Sequence, residues 1–148
     1  MTAKEYLIIV NGRFMCRKEI YPVPLVLAQV KFVPKGVGKN QKVDFDGDLV
    51  NMASDRYKAF AAKGCKCVVC GLEGTYFAKE KSRSSVKQEH KGYHFNLYGI
   101  DAEGKEVLIT KDHIVPVSKG GGHYLDNYQT MCYNCNMKKG DKLEVEWV

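Results

Sequence analysis

Ile109 to Lys142 reads ITKDHIVPVSKGGGHYLDNYQTMCYNCNMKKGDK. An apolar strand pattern runs into Asp112-His113, and Val115-Pro116 and the glycines 120–122 then supply a loop. Tyr128 to Met131 reads as a short return strand, and Tyr133 to Lys139 as a short helix that Gly140 closes. Strand, loop, strand, helix within 34 residues predicts a compact ββα unit. The unit ends on Cys132-Tyr-Asn-Cys135-Asn136, and a second CxxC, Cys67-Val-Val-Cys70, lies far upstream.

Two intervening residues let one tight turn aim both thiolates of a CxxC at one ion, and two such pairs make a tetrahedral four-cysteine zinc site. Sixty-one residues separate Cys70 from Cys132, far more than the roughly 15–20 of a simple zinc ribbon, so the fold must bring the pairs together. Neither pair lies in a βαβ pattern, which argues against a redox motif. Cys65 and Cys16 are left over, Cys67 having the correct spacing to Cys70.

Working outward, Tyr93 to Ile100 and Glu106 to Thr110 read as a hairpin around Asp101 to Gly104. Glu5 to Cys16 reads as another, because Asn11-Gly12 accepts the positive φ of a two-residue turn. Leu25 to Val33 is expected as a strand and Lys35 to Lys42 as a loop. Leu49, Ala53, Tyr57, Phe60 and Ala61 share a face at 3.6-residue spacing, predicting a helix from about Asp48 to Lys63 that stops at Gly64. The segment 72–105 is expected as an insertion carrying a basic loop, Lys79 to Lys91. The resulting organisation is a β-rich extension over 1–45 and an α+β domain over 46–148.

With 148 residues, 45% apolar and 27% charged, the chain has the composition of a soluble globular protein. No apolar run reaches the roughly 18 residues of a membrane span, so no membrane partner is expected. Tyr6 to Val10 is too short for a signal-peptide core, which places the protein in the cytoplasm. Thiols stay reduced there, and six cysteines then point to metal before disulfides. The net charge of +6 admits a polyanionic partner without requiring one.

Together the motifs CxxCG, DHIxP, GG, LDN and CxxCN followed by lysines resemble the HNH (ββα-metal) nuclease family over roughly Arg56 to Lys142. The resemblance implies a ββα-metal core with a structural zinc on Cys67, Cys70, Cys132 and Cys135. It implies a metal-dependent endonuclease acting on double-stranded DNA, with His113 activating water and one Mg2+ or Mn2+ held by Asp112 and Asn136. Asn136 stands where the family's last His gives it its name, an HNN variant, and Asn127 is implied to brace the loop between the strands. Imidazole suits the base because its ordinary pKa, about 6.5, leaves it unprotonated near neutral pH. Hard oxygen donors suit a magnesium-type ion.

Lys138, Lys139, Lys142, Lys81, Arg83 and Lys87 are the candidate phosphate contacts. Adjacent strand side chains point to opposite faces, so a bulge or a strand end is needed at Asp112-His113 for both to serve one site. On the helix, Cys135 and Asn136 lie about 100° apart, so one can serve the zinc and the other the active site. By analogy with small stand-alone members of the family, a phage-encoded protein acting in the host cytoplasm is expected. The alternative is a zinc-stabilised nucleic-acid-binding module without catalysis.

Overall fold

In a computed structural model, which describes residues 4–36, 40–82 and 92–143, the chain has a mixed α+β fold. Asn11 and Gly12, at φ of 50° and 77°, turn β1 (Tyr6–Val10) into β2 (Arg13–Pro22), as their sequence predicts. Four more strands extend this hairpin into a six-stranded antiparallel sheet: β5 (Tyr76–Ser82), β6 (His94–Ile100), β7 (Glu106–His113) and β8 (Tyr128–Cys132), in the order β1-β2-β5-β6-β7-β8. A separate hairpin joins β3 (Lys42–Phe45) to β4 (Asp48–Asn51). The α-helices among the described residues are α1 (Val23–Leu27), α2 (Asp55–Lys63) and α3 (Tyr133–Lys139). Among the described residues no helix is long and apolar enough to cross a membrane.

The two faces of the sheet differ in chemistry. One carries Phe77, Phe95, Leu97 and Ile109 into a core with Tyr57 and Phe60 of α2 and Val26 of α1. Phe45 meets Phe95 edge-on at 4.7 Å between ring centroids, a favoured aromatic geometry. The other face holds a polar network. Arg17 Nε donates to Glu80 at 2.6 Å, its two terminal nitrogens reach Glu106 at 2.9 and 2.8 Å, and Asn96 and Tyr98 donate to the second Glu80 oxygen.

Several expectations need correction. Residues 28–33 form no strand, and Val23–Leu27 is a helix. Proline suits a first helical turn and has no N–H to give a sheet, so Pro24 starts α1. The helix expected from Asp48 begins at Asp55, with the Ser54 hydroxyl accepting from Arg56 N–H. Asp48–Asn51 is instead a strand, because Asp46-Gly47 makes a second positive-φ turn, and Leu49 and Ala61 are exposed.

The expected basic loop is in part a central strand, β5. Lys79 is fully buried, its ammonium 2.6 Å from Glu19 and 2.7 Å from Asp48, and it cannot face phosphates. Arg83, Lys87 and Lys91 lie outside the described residues.

Candidate functional site

Two knuckles assemble the cysteines. In the first, Gly71 N–H closes back on Cys67 C=O at 3.0 Å, and the chain leaves the turn through a positive φ of 80° that glycine adopts readily. In the second, Cys132 caps α3, its sulfur accepting from Cys135 N–H. Val68 N–H, donating to Thr130 C=O at 3.0 Å, stitches the first knuckle to β8.

The four sulfurs of Cys67, Cys70, Cys132 and Cys135 lie within 4.8 Å of one another. Cys70 and Cys132 are 3.7 Å apart, against the tetrahedral edge of about 3.8 Å that a 2.3 Å metal–sulfur bond demands. The cluster therefore fits a zinc ion. Burial works against ionising Cys67, but backbone N–H groups and Cys70 outweigh it and bring its pKa down to about 7. Burial and the neighbouring sulfurs push Cys135 up. Cys65 is buried outside the cluster, its thiol pushed up to about 11 by burial and then by Glu73.

Beside this cluster β7 ends at Asp112-His113, with no bulge: Asp112 pairs with Gln129 and His113 with Tyr128 in unbroken register. The two side chains consequently leave on opposite faces. Asp112 goes to the α3 side, where Gln129 Nε2 donates to its carboxylate at 2.9 Å. His113 goes to the other, its ring edge-on to Tyr128 at 5.1 Å and its Nε2 3.1 Å from His123 Nδ1. Both residues nonetheless line one cleft at the strand end, of about 370 Å³, together with Lys111, Pro116 and Asn136. The strand end, and not a bulge, brings them together.

Asn136 Nδ2 donates to Thr110 Oγ1 at 2.8 Å, while Thr110 gives its own proton to Met131 C=O at 2.6 Å. The threonine oxygen can then only accept, which fixes the amide with its nitrogen toward Thr110 and its oxygen away.

Asn127 lies under the loop. Its Oδ1 accepts from Val115 N–H at 2.9 Å, and its Nδ2 donates to the carbonyls of Val115 and Gly122 at 3.0 and 2.9 Å. A Cβ on Gly121 would fall 1.7 Å from Val115 O, so the loop closes this tightly only over glycine.

The His113 imidazole is held below its ordinary pKa by burial, then by Lys111 and His123, so it is neutral near neutral pH. Lys139 departs from the sequence reading. It is buried, with Nζ 3.1 Å from Asp112 Oδ2 and 3.0 Å from His113 C=O, and does not lie on a basic surface. Lys138 and Lys142 are exposed; Lys81 is half-buried with its ammonium 4.5 Å from the Tyr93 ring centroid.

Residues 101–147 match the HNH endonuclease family. The matched HNH segment covers β7, the Asn127 loop, β8 and α3, and so contains Asp112, His113, Asn136 and the second cysteine pair. Cys67 and Cys70 and the first six strands lie outside it. No curated protein and no solved structure matches the chain. The HNH segment indicates a nuclease-type function with nucleic acid as the substrate class. Thr110, Gln129, His123 and the buried role of Lys139 escaped the sequence reading. Thr110 had a signal, standing two residues before Asp112 and hence on the same strand face.

Proposed function

We propose that the protein is a metal-dependent DNA endonuclease that hydrolyses phosphodiester bonds of double-stranded DNA at the cleft of Asp112, His113 and Asn136. The observation that carries this reading is the convergence of a carboxylate, a neutral imidazole and an oriented amide on one cleft of an HNH segment. His113 takes the proton of the attacking water as its oxygen bonds to phosphorus, and the bond to the leaving oxygen breaks. For that role the imidazole needs a lone pair toward the cleft. Donation from His113 Nε2–H to His123 Nδ1 leaves Nδ1 as the basic atom.

Asp112 and Asn136 supply oxygen donors that suit Mg2+ or Mn2+. Such an ion supplies Lewis acidity that offsets charge on the phosphate and the leaving oxygen. The Asp112 carboxylate would be shared between that ion and the Lys139 ammonium, which already compensates it. Cys67, Cys70, Cys132 and Cys135 would hold a structural zinc that fixes α3, and with it Asn136, against the sheet. Lys138, Lys142 and Lys81, with Arg83 and Lys87 outside the described residues, are proposed phosphate contacts.

One observation favours a second reading, a zinc-stabilised nucleic-acid-binding module without catalysis: Asp112 is closed in an ion pair, facing away from His113. Incubation of plasmid DNA with the purified protein, with and without Mg2+ or Mn2+, separates the two. Metal-dependent nicking or linearisation supports the enzyme; binding without strand scission supports the module.

A further inference from the structure

A second cleft, about 530 Å³ in volume, opens on the polar face of the sheet between the β1–β2 turn and α3. Asn11 and Arg13 come from the turn, Leu108 and Thr110 from β7, and Tyr133 and Asn136 from α3. Asn136 also lines the Asp112–His113 cleft, so the two clefts adjoin at that side chain. The wall includes Arg56, which reaches from α2 to donate to Asn96 Oδ1 at 3.1 Å and to Phe95 C=O at 2.6 Å. Those bonds use two N–H groups of a guanidinium that has five.

We propose that this groove binds one nucleic-acid strand leaving the scissile phosphate, with its phosphates at Arg13 and Arg56 and its bases against Met15, Leu108, Tyr133 and Met137. The inference rests on the nuclease reading for its polarity and deepens it by naming a single strand as the occupant. Charge complementarity carries it: no aspartate or glutamate is among the described residues lining the groove, although 17 occur in the chain. The cleft that shares Arg56 and Thr110 adds Lys35 and Lys111, with Asp55 the one acid there, hydrogen-bonded by Tyr128 at 2.9 Å.

Size decides the rest. A cleft of this volume takes a ligand of drug size, which is roughly one or two nucleotides and not a duplex. A cationic rim over an apolar and aromatic floor is how sequence-tolerant single-strand sites are built. The β1–β2 hairpin, outside the matched segment, thereby acquires a function: it is the far wall of the track.

The test is fluorescence anisotropy of a labelled oligodeoxythymidylate and of a duplex, using the full chain with His113→Ala so that nothing is cut. Arg13→Glu should weaken oligothymidylate binding about tenfold and flatten the dependence of log affinity on log salt by about 0.7 for each phosphate no longer neutralised. Met137→Glu, at a side chain 65% exposed, should weaken it similarly without disturbing the fold. Lys105→Glu, a charge change at the β6–β7 turn outside the groove lining, where the side chain is 74% exposed, should leave binding unchanged.

Unchanged binding in both groove variants, an equal loss in Lys105→Glu, or displacement of the oligonucleotide by polyglutamate but not by unlabelled DNA would overturn the proposal. The nuclease reading fails separately. Arg13-dependent binding by a protein that cuts no DNA keeps the groove and sinks the enzyme. Metal-dependent cleavage with Arg13-independent binding does the reverse.

Discussion

Lys139 Nζ lies 3.1 Å from Asp112 Oδ2 and 3.0 Å from the His113 carbonyl oxygen, so one buried ammonium ties α3 to two consecutive residues at the end of β7. Both side chains are nearly inaccessible, at 2% and 7% exposure, and removal of either leaves a buried charge uncompensated. Lys139→Met should cost about 3–5 kcal/mol of stability in urea unfolding. Adding Asp112→Asn should recover much of that loss, because the double variant buries no unpaired charge. Losses that simply add in the double variant would show that the pair is not coupled.

The cysteine geometry predicts about one zinc per chain, measured by elemental analysis of purified protein. Cys132→Ser should lose metal and stability together, because a thiolate site forms only in the folded chain. Cys65→Ser, which alters a buried thiol outside the cluster, should keep its zinc. A folded wild-type protein with no zinc and four titratable thiols at 67, 70, 132 and 135 would contradict this assignment.

His94 gives the fold a distinct acid sensitivity. Burial, then Arg56 and Lys35, bring its pKa from 6.5 to about 4. The native state therefore holds it neutral while the unfolded chain takes up a proton near 6.5. Its contribution is complete above 6.5 and is lost as pH falls toward 4, with a total on the order of 3 kcal/mol at roughly 1.4 kcal/mol per pH unit. Urea unfolding between these pH values should show a steeper loss for the wild type than for His94→Gln. Parallel profiles would remove His94 from the account.

Much of the ββα element was readable because its signals are local. Asn11-Gly12 between two apolar runs favours a two-residue turn, and Asp112-His113, the glycine loop, Asn127 and Cys132-x-x-Cys135 follow one another along the chain. What escaped is non-local. Lys79-Glu80-Lys81 reads as solvated charge, yet Lys79 is neutralised by Glu19 and Asp48, and Glu80 by Arg17, 63 residues away in sequence. No local pattern announces such partners, so a central strand reads as a basic loop.

The start of α2 fails for a different reason. Leu49 and Ala53 fit helical spacing, but Asp46-Gly47 and the Ser54 cap decide where strand ends and helix begins. Lys139 carried a usable signal: three residues after Asn136, it lies on the same helix face, toward the site and away from solvent.

His113 is the centre of the proposed chemistry, and plasmid cleavage by His113→Ala in saturating Mg2+ or Mn2+ tests it most directly. The substitution removes a half-exposed ring at the strand end. The variant should therefore keep the fold, the zinc and DNA binding. The account predicts a loss on the order of 10²–10⁴-fold in the single-turnover cleavage rate, the scale of a general base. Cleavage at the wild-type rate by a folded, zinc-loaded His113→Ala protein would contradict it.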